Sequence, residues 1–230
     1  MKFLVTGNCS FIGSHLVDRL ISEQHEVIGI DNLSTGSLSN LNPQCKFHQM
    51  DINDDLTKLF EQEKFDYVYH LAAETNLRKS IQFPAQDAKT NIQGSLNIIE
   101  NAKKFGDKKF FFVSTGALIK SGCYYKSEND CKIKPKSQYA LSKYVVEQHL
   151  QLYKELYNFQ SSTFRLSNVY GNRQNPQNES GVISIFKDRI KNNQNLIIYG
   201  GNQIRNFINV FDVTNGLMIP FLDAKMIARQ

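Results

Sequence analysis

Tyr139 and Lys143 stand four residues apart in the run SQYALSK, residues 137–143. On a helix that spacing places both side chains on one face, one turn from each other. A neighbouring ammonium stabilises phenolate and draws the tyrosine pKa toward working pH. Such a tyrosine can take a proton from a substrate hydroxyl while a hydride leaves the same carbon. A packed ring beside a solvated lysine has the same spacing, so the pair needs company to mean chemistry. The run FVST (112–115) offers it. Ser114 and Thr115 lie at the end of an apolar run and could hold the substrate oxygen. Thr115 is the candidate second hydrogen-bonding partner, although a hydroxyl there can also cap a turn.

A hydride needs an acceptor, and TGNCSFIGSHLV (6–17) has the outline of a turn that cradles a dinucleotide's phosphates. Such a turn uses glycines for tight bending, for close approach of backbone to phosphate, and for helix–strand contact. Gly7 and Gly13 can serve the first and third needs. Asn8 and Ser10 occupy positions that often carry further glycines, and Ser10 falls at the close-approach position. The helix opening at Phe11 and Ile12 would aim unpaired N–H groups at the anion. The loop alone is a weak signal; Asp31 strengthens it. It ends the second apolar run, roughly 20 residues beyond the turn, where an acid hydrogen-bonds the adenosine ribose. A carboxylate there repels a 2′-phosphate and selects NAD over NADP.

These residues need a frame. The runs KFLVT (2–6), HEVIGID (25–31), KFHQMDI (46–52), DYVYHLAA (66–73), KKFFFVST (108–115) and SSTFRLS (161–167) read as strands. Helical spacing covers 11–24, 56–64, 85–105 and 137–157. Strands alternating with helices predict right-handed βαβ units in a mostly parallel α/β sheet. Such a sheet binds ligands at the carboxyl ends of its strands. Gly7, Asp31, Ala72, Ala73, Ser114, Thr115 and Asn168 all fall there. From about residue 168 the pattern loosens into polar loops, which predicts residues 1–167 as the cofactor domain and 168–230 as a smaller region leaning on it.

The composition excludes several classes. The net charge of +5 over 230 residues comes from scattered Lys and Arg without a basic stripe, which argues against nucleic-acid binding. No apolar stretch approaches the ~20 residues needed to cross a bilayer, and the first residues enter a strand rather than a signal peptide. Cys9, Cys45, Cys123 and Cys131 have neither zinc-ligand nor redox spacing, so no metal is expected, and buried thiols in a reducing cytoplasm are.

The runs FLVTGNCSFIGSHLVDRL, VIGIDNLSTG, VYHLAAETNLRKSI, NIQGSLNIIENA, FFFVSTGA, SQYALSK, FRLSNVYGNRQ and LIIYGGNQIRNFINVFDV occur in a family's order. The chain resembles the extended short-chain dehydrogenase/reductases, and among them the nucleotide-sugar 4-epimerases. The resemblance implies a Rossmann-like doubly wound parallel sheet, a tightly held NAD reused in each cycle, and a small, truncated C-terminal substrate-binding region. It implies Tyr139 as base, Lys143 on the nicotinamide ribose and Thr115 at the sugar O4. Asp31 and Asn32 would hold the adenosine ribose, and Asp51 with Ile52 the adenine. Leu71, Ala72 and Ala73 would line the cofactor; Asn168 and Arg205 would grip the nucleotide diphosphate. A UDP-linked sugar, a homodimer through the helices after Pro84 and around Tyr139, and supply of polysaccharide precursors follow from the same likeness. Sugar 4,6-dehydratases place an Asp–Glu pair just after the strand-end threonine, and the related decarboxylases usually carry an acid nearby. Here Gly116 and Ala117 follow Thr115, which favours epimerisation; the alternatives are a nucleotide-sugar oxidoreductase or dehydratase of the same fold, or a non-catalytic NAD-binding paralogue. The chain departs from the family pattern at Asn8 and Ser10, at Lys120–Ser121 where Tyr–Gly is usual, and at Asn206 and Phe211 where acids are usual. An early end at Gln230 is expected to expose apolar core around GLMIPFL (216–222).

Overall fold

In the computed structural model, which describes residues 1–106, 109–119, 132–176, 181–198 and 200–227, six parallel strands form one sheet. They are β1 (Lys2–Thr6), β2 (Glu26–Asp31), β3 (Lys46–Gln49), β4 (Tyr67–His70), β5 (Lys109–Thr115) and β6 (Ser161–Leu166), in the order β3-β2-β1-β4-β5-β6. The order reverses between β1 and β4. There the crossovers leave on opposite faces and open a crevice at the strands' carboxyl ends.

Alternation along the strands fills two cores. Leu4, Ile28, Ile30, Val68, Phe110 and Phe112 pack on one face with α2 (Thr57–Glu63), α5 (Ser95–Phe105) and α6 (Gln138–Tyr157). Phe3, Val5, Tyr69 and Phe111 face the other way, onto α1 (Phe11–Ser22) and α8 (Val210–Ile227). With both faces covered, the strands read as near-continuous apolar runs instead of alternating ones. Leu217 and Met218 are buried in that second core, and the Tyr69 hydroxyl donates to the Leu217 carbonyl at 2.8 Å. The apolar run expected to be exposed from residue 216 is therefore largely core as far as Met218, while Ile219 is exposed.

The segment read as one amphipathic helix over 85–105 has three parts. Before it lies a short helix missing from the sequence reading, α3 (Leu77–Gln82); α4 (Pro84–Ala88) then runs through a π-helical stretch, Lys89–Gly94, into α5. The remaining α-helix among the described residues is α7 (Val182–Lys191), and β7 (Asn168–Tyr170) pairs with β8 (Phe207–Asn209) in a separate parallel ladder. No helix among the described residues is long and apolar enough to cross a membrane. Cys9 and Cys45 are buried and unpaired, and burial pushes their thiols up to about 11 and about 12. Lys120, Ser121, Cys123 and Cys131 lie outside the described residues.

Candidate functional site

A cleft of about 840 Å³ opens at the carboxyl ends of the strands. Its floor begins at the turn after β1. Gly7 has φ +73°, and a side chain there would stand 2.9 Å from the Ala72 amide nitrogen. Gly13 is more confined: a Cβ would lie 2.1 Å from the Gly7 carbonyl oxygen. Both glycines are thus required by the backbone, one for a left-handed turn and one for helix–turn contact.

Ser10 lines the cleft, as its position in the sequence suggests, and its hydroxyl has a local task. It is the N-cap of α1, and its hydroxyl accepts from the Gly13 N–H at 3.2 Å. The next amide, of Ser14, already bonds the Ser10 carbonyl at 3.1 Å. Phe11 and Ile12, which line the cleft, therefore carry the orphan N–H groups of this helix end. Asn8 turns inward. Its buried side chain covers Gly29 of β2, where a Cβ would fall 2.3 Å from Asn8 Cγ.

At the end of β2 the Asp31 carboxylate accepts from Cys9 N at 3.0 Å and Leu33 N at 2.8 Å. Burial pushes its carboxyl up, and those two amides oppose the rise. A carboxylate offers about four acceptor sites, so two amides leave capacity for ribose hydroxyls. Asn32 donates to Asp51 at 2.6 Å. Burial raises the Asp51 carboxyl, but bonds from Asn53 and Asn32 outweigh it and hold the group below its usual range. Asn32, Asp51 and Ile52 line the same end of the cleft, and Leu71, Ala72 and Ala73 line its middle.

A buried polar chain fixes that middle. Thr6 Oγ1 accepts from the Leu71 and Ala72 amides at 3.2 and 3.1 Å and meets His70 Nδ1 at 2.7 Å. His70 Nε2 meets Ser95 Oγ at 2.9 Å, and Ser95 donates to the Asn91 carbonyl at 2.6 Å. Because Ser95 spends its proton on that carbonyl, it accepts from His70 Nε2–H. Nδ1 then accepts from Thr6, which assigns one tautomer from the network. Burial drives His70 down to about 3, with the Lys143 charge adding to the fall, so the ring is neutral at physiological pH.

At the far end, Ser114, Thr115, Tyr139, Lys143 and Asn168 converge on the cleft. Ser137 caps α6 by accepting from Ala140 N at 3.1 Å, which starts the helix just before Tyr139. Lys143 is 3% exposed and donates to the Val113 carbonyl at 2.9 Å. Burial lowers it to about 8, with Asp87 and then Glu147 opposing the fall. The Thr115 hydroxyl accepts from Ala117 N at 3.1 Å, so it does cap a turn, yet a hydroxyl that accepts keeps its own proton to donate. Ser114 Oγ is buried without a hydrogen-bond partner while its residue lines the cleft. Such an atom costs about 1–3 kcal/mol unless something else bonds it.

Arg205 is not brought to the cleft: it is exposed in the segment before β8 and donates to the adjacent Ile204 carbonyl. The cleft's cationic side chains are instead Lys79, Lys143 and Arg173. Lys79 is paired with Glu74, and Arg173 with Asp18 at 2.8 Å. Sequence reasoning missed Lys79 and Arg173 because both sit in polar segments without periodicity. The run Ser34–Thr35 after Asn32, which also lines the cleft, was within a quoted motif but unassigned.

The residues fit a dinucleotide: a glycine-clamped turn, two orphan amides and an acid at the end of β2. The match to known proteins agrees. Residues 3–223 match the model of the NAD dependent epimerase/dehydratase family. The chain is 44% identical over 213 residues to a putative UDP-glucose 4-epimerase of Methanocaldococcus jannaschii, covering 91% of this chain and 70% of that one. Among solved structures it resembles UDP-glucose 4-epimerase from Thermotoga maritima with UDP-glucose, at a TM-score of 0.92 and 38% identity, covering 96% of this chain and 73% of the other. The Thermus thermophilus UDP-glucose 4-epimerase complex with NAD gives 0.89 and 32%, covering 95% and 74%.

Proposed function

The chain belongs to the NAD-dependent epimerase/dehydratase family, and from that premise we propose that it interconverts the C4 epimers of a nucleotide sugar, UDP-linked, by transient oxidation at C4. The observation that carries the reading is the convergence of Tyr139, Lys143, Ser114 and Thr115 on the cleft whose other end holds the glycine turn and Asp31. NAD bound there would supply the acceptor and donor of the hydride. Gly7, Ser10, Phe11, Ile12 and Gly13 would surround its pyrophosphate, Asp31 and Asn32 its adenosine ribose, and Asp51 and Ile52 its adenine.

The protein's own part is proton transfer and positioning. Tyr139 Oη removes the O4 proton as C4 becomes a carbonyl, then returns it when the sugar has presented its opposite face. Lys143 bonds the nicotinamide ribose and holds positive charge beside the phenolate, which lowers the cost of ionising Tyr139 at neutral pH. Thr115 donates to O4, and Ser114 Oγ gains the partner that it lacks in the cleft wall. Residues 168–230 form the substrate side, with Asn168 at the diphosphate; Arg205 serves there only if its segment moves to the cleft. After Thr115, Gly116 and Ala117 offer no acid or base to move a C5 proton, so dehydration has no agent at that position. A homodimer through α5 and α6 and a cytoplasmic location complete the reading. Light scattering of the purified chain tests the first and cell fractionation the second.

Incubation with a panel of UDP-sugars, followed by separation of the C4 isomers, tests the activity. Turnover should need no added cofactor. Tyr139→Phe should lower kcat by at least about a thousandfold, the upper range for general acid–base catalysis, while NAD stays bound. Wild-type turnover in that variant would remove Tyr139 from the mechanism.

A further inference from the structure

The polar network beneath Lys143 reaches a residue that the reaction as described does not use. Asp87, in α4, is 1% exposed. Both of its carboxylate oxygens are bonded: Ser142 donates to Oδ2 at 2.6 Å and Asn91 to Oδ1 at 2.9 Å. Ser142 is the residue before Lys143 on α6. Asn91 lies in the π-helical stretch, where its amide also donates to the Glu74 carbonyl and its oxygen accepts from Glu74 N, each at 2.9 Å. A π-turn inside a helix is uncommon and frequently marks a functional site. Here Asp87 and Asn91 share a buried face despite it, and Ser95 joins them by bonding the Asn91 carbonyl.

A buried ammonium needs a counter-charge. The charged and titratable groups that bear on Lys143 and Asp87 are Tyr139 and Glu147 on the helix of Lys143, His70 on β4, Asp87 on α4 and Glu74 between β4 and α3. His70 is neutral. Glu147 is committed elsewhere: Arg165 grips it through Nε at 3.1 and 3.2 Å and through Nη2 at 2.6 Å. That guanidinium opposes its influence on Lys143, which is smaller than that of Asp87. Asp87, by contrast, is held by two neutral donors rather than by an opposite charge; burial, with the Glu74 carboxylate, pushes its carboxyl up, and the bonds from Ser142 and Asn91 with the Lys143 charge oppose the rise.

We propose that Asp87 is a positioning residue for the reaction, the counter-ion that keeps Lys143 protonated in the closed interior, and that Ser142 and Asn91 hold its carboxylate in place for that task. The proposal rests on the epimerase reading for its role in turnover, but its electrostatic content does not. Burial lowers the lysine, and the Asp87 carboxylate is the largest influence opposing it. Without that charge Lys143 loses its proton at lower pH, and with it the support for the Tyr139 phenolate.

The test is a titration of the folded chain labelled with ¹³C at lysine Cε, with the Lys143 signal assigned by its absence in Lys143→Arg. In the wild type the signal should report a charged amine through pH 7 and titrate near 8. In Asp87→Asn, which keeps shape and removes charge, the midpoint should fall by about one pH unit or more, a tenfold change in the equilibrium. Asp87→Glu should keep it close to the wild-type value. The alkaline limb of the kcat profile should move to lower pH by the same amount in Asp87→Asn, with KM little changed. An unmoved Lys143 midpoint in folded Asp87→Asn overturns the proposal. So does a wild-type Lys143 already neutral at pH 7, which decides the matter even if Asp87→Asn fails to fold. If no sugar nucleotide is turned over, the epimerase reading falls while the titration still judges the counter-ion.

Discussion

Gly13→Ala should weaken dinucleotide binding at least a hundredfold, and the geometry gives the size of the effect. The new methyl would start 2.1 Å from the Gly7 carbonyl oxygen, against ordinary contact from 3.4 Å. The carbonyl must therefore retreat by roughly 1 Å or α1 must tilt away from it. Neither is easy. Gly7 N is tied to the Ile30 carbonyl at 2.8 Å, and a Cβ on Gly7 would already meet the Ala72 backbone at 2.9 Å, so there is little room to shift. Retreat strains the Ser10 N–Gly7 O bond at 3.0 Å; tilting strains the Ser10 cap on Gly13 N. Overpacking costs about 1–3 kcal/mol, and a lost cap or hydrogen bond about 1 kcal/mol more. The sum is roughly 2–4 kcal/mol, or a melting temperature lower by about 5–15 °C for a chain of this size. The Phe11 and Ile12 amides would move with the helix, so NAD affinity should fall at least a hundredfold. Calorimetric titration with NAD and a thermal melt read both quantities. Gly106→Ala is the control. Gly106 has φ +75° at the end of α5, with nothing within 4 Å of an added Cβ. It should cost only about 1 kcal/mol of backbone strain and leave NAD binding untouched. Gly13→Ala binding NAD within threefold of wild type would refute the assignment of this turn as the pyrophosphate cradle.

Three other outcomes are expected. His70 is held at about 3 in the folded state against 6.5 when free; the unfolded chain binds a proton that the folded chain refuses. Stability from this group is therefore complete above pH 6.5 and falls as pH drops, by about 2 kcal/mol between pH 6.5 and 5. Urea melts should show that slope flattened by one proton in His70→Gln, and equal slopes would contradict a neutral His70. Asp31→Asn should weaken NAD binding about tenfold to a hundredfold, matching about 1.5–3 kcal/mol for charge-assisted bonds, and narrow the preference over NADP; an unchanged NAD:NADP ratio would show that Asp31 does not meet the ribose. Gly216 lies inside α8 with nothing within 4 Å of an added Cβ. Gly216→Ala should stabilise the chain by up to about 1 kcal/mol, seen as a melting point 2–4 °C higher, and a fall would mean the helix is not formed as described.

What was legible in the sequence is what local chemistry writes. Six apolar runs separated by helical spacing gave the sheet, because each strand is buried on both faces and each crossover needs a helix. The strand ends were legible because Asp31, Ser114 and Thr115 interrupt apolar runs where a parallel sheet opens. The strand runs over 46–52 and 66–73 were drawn too long, since Met50, Ile52 and Leu71–Ala73 carry apolar side chains beyond the end of the ladder, where they line the cleft. What was not legible depends on distant partners. Asn8 looks like an intruder in the glycine turn until Gly29, across the sheet, makes room for it. The helix over 85–105 has good apolar spacing, yet Asp87, Asn91 and Ser95 recur every four residues on a buried face. That polar recurrence was visible but had no meaning until Ser142 and His70 stood opposite. Arg205 was assigned through resemblance alone, and its placement depends on a segment with no periodicity to anchor it.

The cleft is built unevenly, and the unevenness suits the reaction. On the cofactor side a chain of polar groups is already committed: Thr6 accepts from two amides and donates to His70, which in turn donates to Ser95. No hydroxyl in that chain can turn without breaking a second bond, so Leu71 and Ala72 are held where a dinucleotide must pass. On the substrate side Thr115 is half-buried, Ser114 Oγ lacks a partner and Asn168 is exposed, at the start of β7 with its side chain donating to the Asn206 carbonyl. An epimerase must keep its cofactor still while a keto-sugar turns over beside it. If the two sides were equally stiff, the sugar could be oxidised but not inverted. A variant that stiffened the Ser114–Thr115 wall should accordingly lose inversion before it loses oxidation, accumulating keto-sugar.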